Sequence, residues 1–366
     1  MQTRFTQAYG LSTPIAQAGM AFVGMTPDLA VAVSNAGALG SLGVGLMPAP
    51  VLTQMIAGVR AGTTGPFNVN FITIFTDQSQ IDAVCAAEVP VASFHWGHPP
   101  RAWTDQLHNA GVRVFEQVGS VAAARRAVDD GVDVVVAQGL EAGGHNYATL
   151  PTFALVPLVV DAVAPALVLA AGGIADGRGL AAALMLGADG AWIGTRLVAT
   201  DESGAHDGYK AALIAADATE TVRTALFGPE TPQFNPMRVL RNRVVEQWQD
   251  RPGEQNQPLE QDQPLQQDQP LEQDQPGEQD QPAGRDRPVE SVDRPVIGHT
   301  VLGGQDVEMR RFSNLVPMRD ATTGDLQEMA LLAGQGVGLV DSIKGAGSVV
   351  AEITAEADAL LARYRP

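Results

Sequence analysis

The sequence predicts an α/β fold, a (β/α)8 or TIM barrel with a smaller C-terminal appended region and a disordered low-complexity loop. Three observations carry that expectation. Eight short apolar segments alternate with helical patterns, the last three segments end in glycine-rich loops, and 366 residues hold one barrel of roughly 250 plus an appendage.

The apolar segments fall at 14–18 (PIAQA), 37–42 (GALGSL), 67–72 (FNVNFI), 90–94 (PVASF), 111–115 (GVRVF), 132–138 (VDVVVAQ), 166–171 (ALVLAA) and 190–194 (GAWIG). The later runs, rich in Val, Ile, Leu and Ala, suit parallel strands buried on both faces. Between them lie helical stretches such as 27–36, with Pro27 at its start, and 120–130, with Ser120 as N-cap. That rhythm is the mark of parallel βα units. A doubly wound sheet shares it but needs a GxGxxG turn after the first strand, and AQAGMAFVG (16–24) has none. The expected division is a barrel over 1–205, an appended region over 206–319 and C-terminal helices over 320–366 that pack on the barrel.

The glycine-rich loops are where chemistry is expected. Gln138 opens QGLEAGGH, which brings Gly143, Gly144 and His145 to the end of the sixth strand. Ala171 leads into Gly172 and Gly173, with a helix at 177–186 behind them, and Gly194 and Thr195 follow one strand later. Glycine leaves the main-chain N–H groups uncovered, and a helix N-terminus adds partial positive charge. Two adjacent strand tips of this kind make one anion cradle, in the place where barrels bind phosphate. GxxxxGK[ST] is absent and neither Lys210 nor Lys344 is near the glycines, so ATP chemistry is excluded and a phosphate ester such as FMN fits.

Other strand ends supply the walls. Met20 follows the first strand, where a methionine is either core filler or a contact of whatever fills the mouth. Asn68 and Asn70 share one face of the third strand, as strand-end caps or as amides for a heterocycle. His95, Trp96 and His98 end the fourth strand. Without Cys, Asp or Glu in ligand spacing they read as an aromatic wall contacting substrate, and no metal is expected. Glu116 and Gln117 end the fifth strand, and Gln117 is placed to reach a cofactor. His145 is either a surface histidine or, given its neighbours, the group that takes or stabilises a proton near neutral pH.

The formal charge of -18 argues against nucleic acid or an anionic membrane as partner. One cysteine, Cys85, leaves no internal disulfide and suits a reducing compartment. MQTRFTQAYG has no apolar core of a signal peptide, and 153–175 is interrupted by Pro157, Asp161 and Pro165, so a cytoplasmic location is expected. After Thr200 the βα rhythm stops. A helix and a Pro-punctuated segment fill 207–245, a six-residue repeat (LEQDQP and variants) covers 253–288, and helical patterning returns over 320–366. The repeat has little to bury and a Pro in each unit, so it reads as a disordered loop or, less readily, a partner-binding tract.

The combination of PIAQAGM, NVNF, QGLEAGGH, AAGGIADGRGLAAALMLGADGAWIGTR resembles the nitronate monooxygenases, formerly called 2-nitropropane dioxygenases, over about 1–245 and again about 295–350. The resemblance implies an FMN-dependent oxidoreductase that oxidises alkyl nitronates, and in some members nitroalkanes, with O2 to a carbonyl compound and nitrite. It implies FMN phosphate on Gly172, Gly173, Gly194 and Thr195. The flavin ring is expected near Met20, Asn70, Gln117, Gly143 and Gly144, with Gln138 and Ala171 as further cofactor contacts and His145 catalytic. Two positions depart from the family pattern: Gln117 stands where a basic residue is common, and Gly336 follows Gln335 where a serine is common. The same glycine motifs occur in flavin-dependent enoyl-ACP reductases that use NAD(P)H, the alternative enzyme. A barrel that binds FMN or another phosphate without catalysis is the third reading. Oligomeric state is left open.

Overall fold

A computed structural model describes residues 1–249 and 294–363. The hexapeptide repeat lies outside the described residues. Eight strands form one parallel sheet: β1 (Ile15–Gln17), β2 (Gly40–Gly43), β3 (Phe67–Ile72), β4 (Val91–His95), β5 (Arg113–Val118), β6 (Val134–Gln138), β8 (Leu167–Ala171) and β9 (Gly190–Ile193), with β7 (Gly144–His145) standing outside it. Each coincides closely with one of the eight apolar segments. The sheet closes between its end strands, where Ala16 bridges Leu39 in parallel and the Gln17 amide bonds both ways to the Ser41 backbone at 2.7 and 3.0 Å.

Helices α1 (Arg4–Tyr9), α2 (Pro27–Asn35), α3 (Ala49–Gly62), α4 (Gln78–Ala86), α5 (Arg101–Asn109), α6 (Val121–Asp129), α7 (Thr152–Val163), α8 (Gly177–Met185) and α9 (Thr195–Val198) follow in order. Pro27 stands at the first turn of α2, and the Ser120 hydroxyl accepts from Ala123 N at the start of α6, as the sequence suggests. α1 seals the N-terminal end of the barrel: Phe5 is fully buried against Phe115 and Tyr9. Inside, Val91, Val134, Val136, Leu169 and Trp192 fill the space, and above them Asn68 and Asn70 both donate to Ser93 Oγ. The Asn68 and Asn70 amide nitrogens thus share one hydroxyl acceptor, while Asn68 Oδ1 is buried without a partner.

Beyond the barrel come α10 (Asp207–Ala215), β10 (Thr221–Thr224), β11 (Met237–Leu240) and α11 (Arg243–Trp248). They are followed by the β12 (Val296–Leu302) and β13 (Gln305–Arg310) hairpin, β14 (Thr322–Gly324) and α12 (Ala346–Ala362). β10 and β11 pair antiparallel, and β11 pairs in turn with β7, setting Met237 opposite His145. The appended region is thereby stitched to the loop that carries His145. α12 packs Val350, Ile353 and Ala357 on Leu180 and Ala181 of α8.

One expectation is corrected. The helical patterning over 320–343 does not form α-helix: it contains β14 and two 3-10 turns, Leu326–Glu328 and Gln335–Leu339, and α12 is the α-helix within 320–363. The apolar spacing there serves an extended segment that crosses the barrel mouth. Gly334 and Gly336 approach neighbouring backbone so closely that a Cβ on either would lie 2.8 Å from Glu141 O or 2.9 Å from Gly173 O. Among the described residues no helix is long and apolar enough to cross a membrane.

Candidate functional site

The C-terminal ends of the barrel strands open into a cavity of about 370 Å³. Every residue singled out from the sequence as a cofactor or catalytic contact lines it, from Met20 and Asn70 through Gln117, Gln138 and the 143–145 loop to Ala171, Gly172, Gly173, Gly194 and Thr195. Of the expected substrate contacts His95 lines it and Trp96 does not. Asn70 is held at its station by Gly19, where a Cβ would overlap the Asn70 side chain.

The glycine tips expected to form an anion cradle follow β8 and β9, which run side by side with Ala171 opposite Trp192. Gly172 and Gly173 have φ of 109° and 73°, a region that side chains oppose. Among the described residues the N–H groups of Gly172, Gly173, Gly194 and Thr195 donate to no protein acceptor. Four uncommitted amides on two adjacent tips are the donor set an anionic oxygen needs. The helix behind Gly173 contributes less than the sequence suggests. Asp176 and Glu356 accept from Gly179 N and Gly177 N, so the first turn of α8 is already capped. The helix N-terminus at the cavity is that of short α9, whose N-cap is Gly194. Thr195 Oγ1 accepts from Gly334 N at 3.0 Å and fastens the crossing segment to the cradle.

Across the cavity stands His145. Its imidazole lies parallel to Phe234, and its Nε2 is buried without a hydrogen-bond partner. Burial, followed by the neighbouring His95, holds the His145 pKa well below the usual histidine value. His95 is pushed down to about 4, mainly by burial, while its bond to the His145 backbone carbonyl opposes. That carbonyl can only accept, so His95 carries its hydrogen on the nitrogen facing it, and Nδ1 accepts from Gln117 Nε2 at 2.7 Å. A neutral Gln117 thus fixes one tautomer of a neutral His95. Trp96 stands behind the wall: it meets the His145 ring edge-on at 5.7 Å and donates from Nε1 to Gln233 O. His98 points away from the cavity, and no group of His, Cys, Asp or Glu among the described residues is arranged to hold a metal.

Sequence reasoning missed the roof. Phe75, Phe234, Leu315, Leu332 and Gly336 also line the cavity, drawn from irregular segments without periodicity. The spaced glycines 334, 336 and 338 were the one readable signal. At Gly336 any Cβ would crowd the Gly173 carbonyl.

A sequence profile described as nitronate monooxygenase matches residues 2–79 and 72–356. The chain belongs to the nitronate monooxygenase family. It is 38% identical over 264 residues to the nitronate monooxygenase of Paraburkholderia phytofirmans, covering 59% of this chain and 71% of that protein. Among solved structures it is similar to FabK from Thermotoga maritima, with 31% identity, a TM-score of 0.73 and coverage of 99% and 98% of the two chains. It is also similar to nitroalkane oxidase from Streptomyces ansochromogenes, with 26% identity, a TM-score of 0.72 and 99% of both chains covered. As a member of the nitronate monooxygenase family the protein is an oxidoreductase, flavin-dependent as that family is, with a small-molecule substrate and oxygen.

The residues present fit a flavin phosphate ester. The uncommitted amides of the glycine tips suit a phosphate, and His145, which lines the same cavity, has an Nε2 without a hydrogen-bond partner.

Proposed function

We propose that the cavity binds FMN and oxidises alkyl nitronates with O2 to a carbonyl compound and nitrite, with His145 as the catalytic residue. The observation that carries this reading is that the His145 imidazole, its Nε2 left without a hydrogen-bond partner, lines the same cavity as the uncommitted glycine amides. Gly172, Gly173, Gly194 and Thr195 hold the phosphate through main-chain N–H groups. Met20, Asn70, Gln117, Gln138, Ala171, Gly143 and Gly144 border the ring. The flavin supplies the electron acceptor. His145 holds or moves the proton: unprotonated at neutral pH, its Nε2 accepts the α proton of a neutral nitroalkane, and its ring orients the nitro group. His95 keeps the His145 loop in place through the carbonyl, while Trp96 and Phe234 exclude water from the imidazole.

The likeness to FabK favours a second reading, an NAD(P)H-dependent reductase of enoyl-thioester type. The lining opposes it. Among the described residues the cavity wall contains no lysine or arginine, and its one carboxylate, Glu230, is paired with Arg294. The cradle serves one phosphate, and a dinucleotide brings a further diphosphate that finds no cation.

The test starts with the visible spectrum of the purified protein. Flavin bands that yield FMN on denaturation support the cofactor, and a colourless protein that FMN cannot reconstitute sinks it. Oxygen uptake with nitrite release from an alkyl nitronate, set against NADH oxidation with an enoyl thioester, then separates the two enzymes.

A further inference from the structure

Outside the cavity, the turn that presents His95 and Trp96 is clamped by a cluster the reaction above does not use. At the tip of β5, Gln117 bonds His95 on one side of the strand while Glu116, buried at 3% exposure, bonds His98 on the other. His98 Nδ1 lies 2.9 Å from Glu116 Oε2, and its Nε2 lies 2.9 Å from Asp130 Oδ2, at the C-cap of α6. Each line needs a hydrogen, and a neutral imidazole has one. The cluster therefore holds one proton beyond a neutral ring between two carboxylates.

What it clamps is strained. Trp96 has φ of 59° and Gly97 of 121°, and a bulky residue adopts the first only when its surroundings impose it. Thr73 Oγ1 donates to Gly97 O at 3.0 Å from inside, and the His98 bonds secure the far end of the turn.

We propose that His98, protonated between Glu116 and Asp130, is a positioning residue: it holds the Trp96–Gly97 turn, and through it keeps His95 on the His145 carbonyl and Trp96 against the His145 ring. The proposal rests on the assignment of His145 to the reaction. The charged groups facing His98 are Glu116 from β5, Asp130 and Arg126 from α6, and Arg101 of α5, whose Nη1 is 3.7 Å from Asp130. Burial lowers the proton affinity of His98 and Arg126 lowers it further, but the bonds and charge of Glu116 and the bond of Asp130 outweigh both, and the net direction is upward. A histidine whose folded pKa exceeds its unfolded one stabilises fully below the unfolded value near 6.5 and loses that contribution as pH rises through the folded one. The clamp is thus complete in mild acid and loosens in alkali.

The test uses the full chain. Ring nitrogen NMR at pH 7 is expected to show both His98 nitrogens protonated, titrating above pH 6.5, while kcat for nitronate oxidation falls over the same alkaline range. His98→Gln is expected to lower kcat roughly 10-fold or more with less change in KM, and to remove that limb. Glu116→Gln shifts the NMR titration and the limb to lower pH together. A His98 ring with a single hydrogen at pH 7, or a limb unchanged in His98→Gln, overturns the proposal. If His98→Gln does not fold, the wild-type titration and Glu116→Gln decide. If nitronates are not substrates, the His95 ring and Trp96 indole resonances decide instead: their movement in either variant supports positioning, and unmoved signals refute it.

Discussion

The imidazole of His145 and the phenyl ring of Phe234 lie face to face, with centroids 3.5 Å apart and planes 19° from parallel. Trp96 and Phe75 meet Phe234 edge-on, so His145 is backed by an aromatic stack built from the turn after β4, the segment after β3 and the appended region. Face-to-face packing removes water from the ring and favours its neutral form. Phe234→Ala is therefore expected to raise the His145 pKa toward 6.5 and to move the acid limb of kcat/KM for a neutral nitroalkane upward. An acid limb identical to wild type would show that Phe234 does not set the protonation of His145.

Acid should destabilise the fold through His145 and His95. His95, at about 4, and His145, well below its ordinary value, bind protons more weakly folded than unfolded. Between pH 6.5 and the folded values the unfolded chain binds more protons, so stability present above 6.5 is lost as pH falls. The loss is about 1.4 kcal/mol for each pH unit crossed and each histidine that stays neutral in the folded chain. Urea midpoints measured from pH 8 to pH 4.5 should decline below 6.5, and His95→Gln should shallow that decline. A midpoint constant over this range would contradict neutral burial.

The cradle is tested at Gly173, whose φ of 73° and position over the cavity leave a Cβ only ordinary contact, 3.6 Å from Glu141 Cβ. Gly173→Ala should fold with a loss of about 1–2 kcal/mol from backbone strain, yet retain flavin poorly, with dissociation at least ~10-fold weaker. Flavin absorbance after dialysis reads the effect directly. Full retention would mean that the phosphate lies elsewhere.

Lys210 tests how the roof is hung. Its buried ammonium donates to the carbonyls of Thr200 and Ser203, and burial, with help from Arg319, pushes its pKa down to about 8. The adjoining loop bridges Ala205 to Met318, next to the 314–316 stretch of the cavity wall. Lys210→Met leaves two buried carbonyls unpaired and should cost about 1–3 kcal/mol, seen as a lower Tm and weaker flavin retention. An unchanged Tm would show that water or a shift of the loop replaces the ammonium.

The barrel is legible because its chemistry is local. Strands such as 132–138 are largely apolar, and Pro27 and Ser120 mark helix starts from their own neighbours alone. The floor of the cavity is legible for the same reason, since glycines bunch at strand ends. The roof is not. Leu326, Met329, Ala330 and Ala333 mimic a helical stripe, while the segment's actual partners lie across the chain around Glu141 and Gly173. Trp96, expected on the cavity wall, is turned behind His145 by a left-handed backbone that the sequence around it does not announce. The amides of α8, expected to serve the anion, are capped in part by Glu356 of α12, a partner that no local pattern reveals.

The most direct measurement is oxygen uptake with nitrite release by FMN-reconstituted protein, wild type against His145→Ala, on a neutral nitroalkane and on its nitronate. Both proteins are expected to hold flavin, with the variant slowed ~10²-fold or more on the nitroalkane and less on the ready-made nitronate. Equal nitroalkane rates in the two proteins would contradict the assignment of His145.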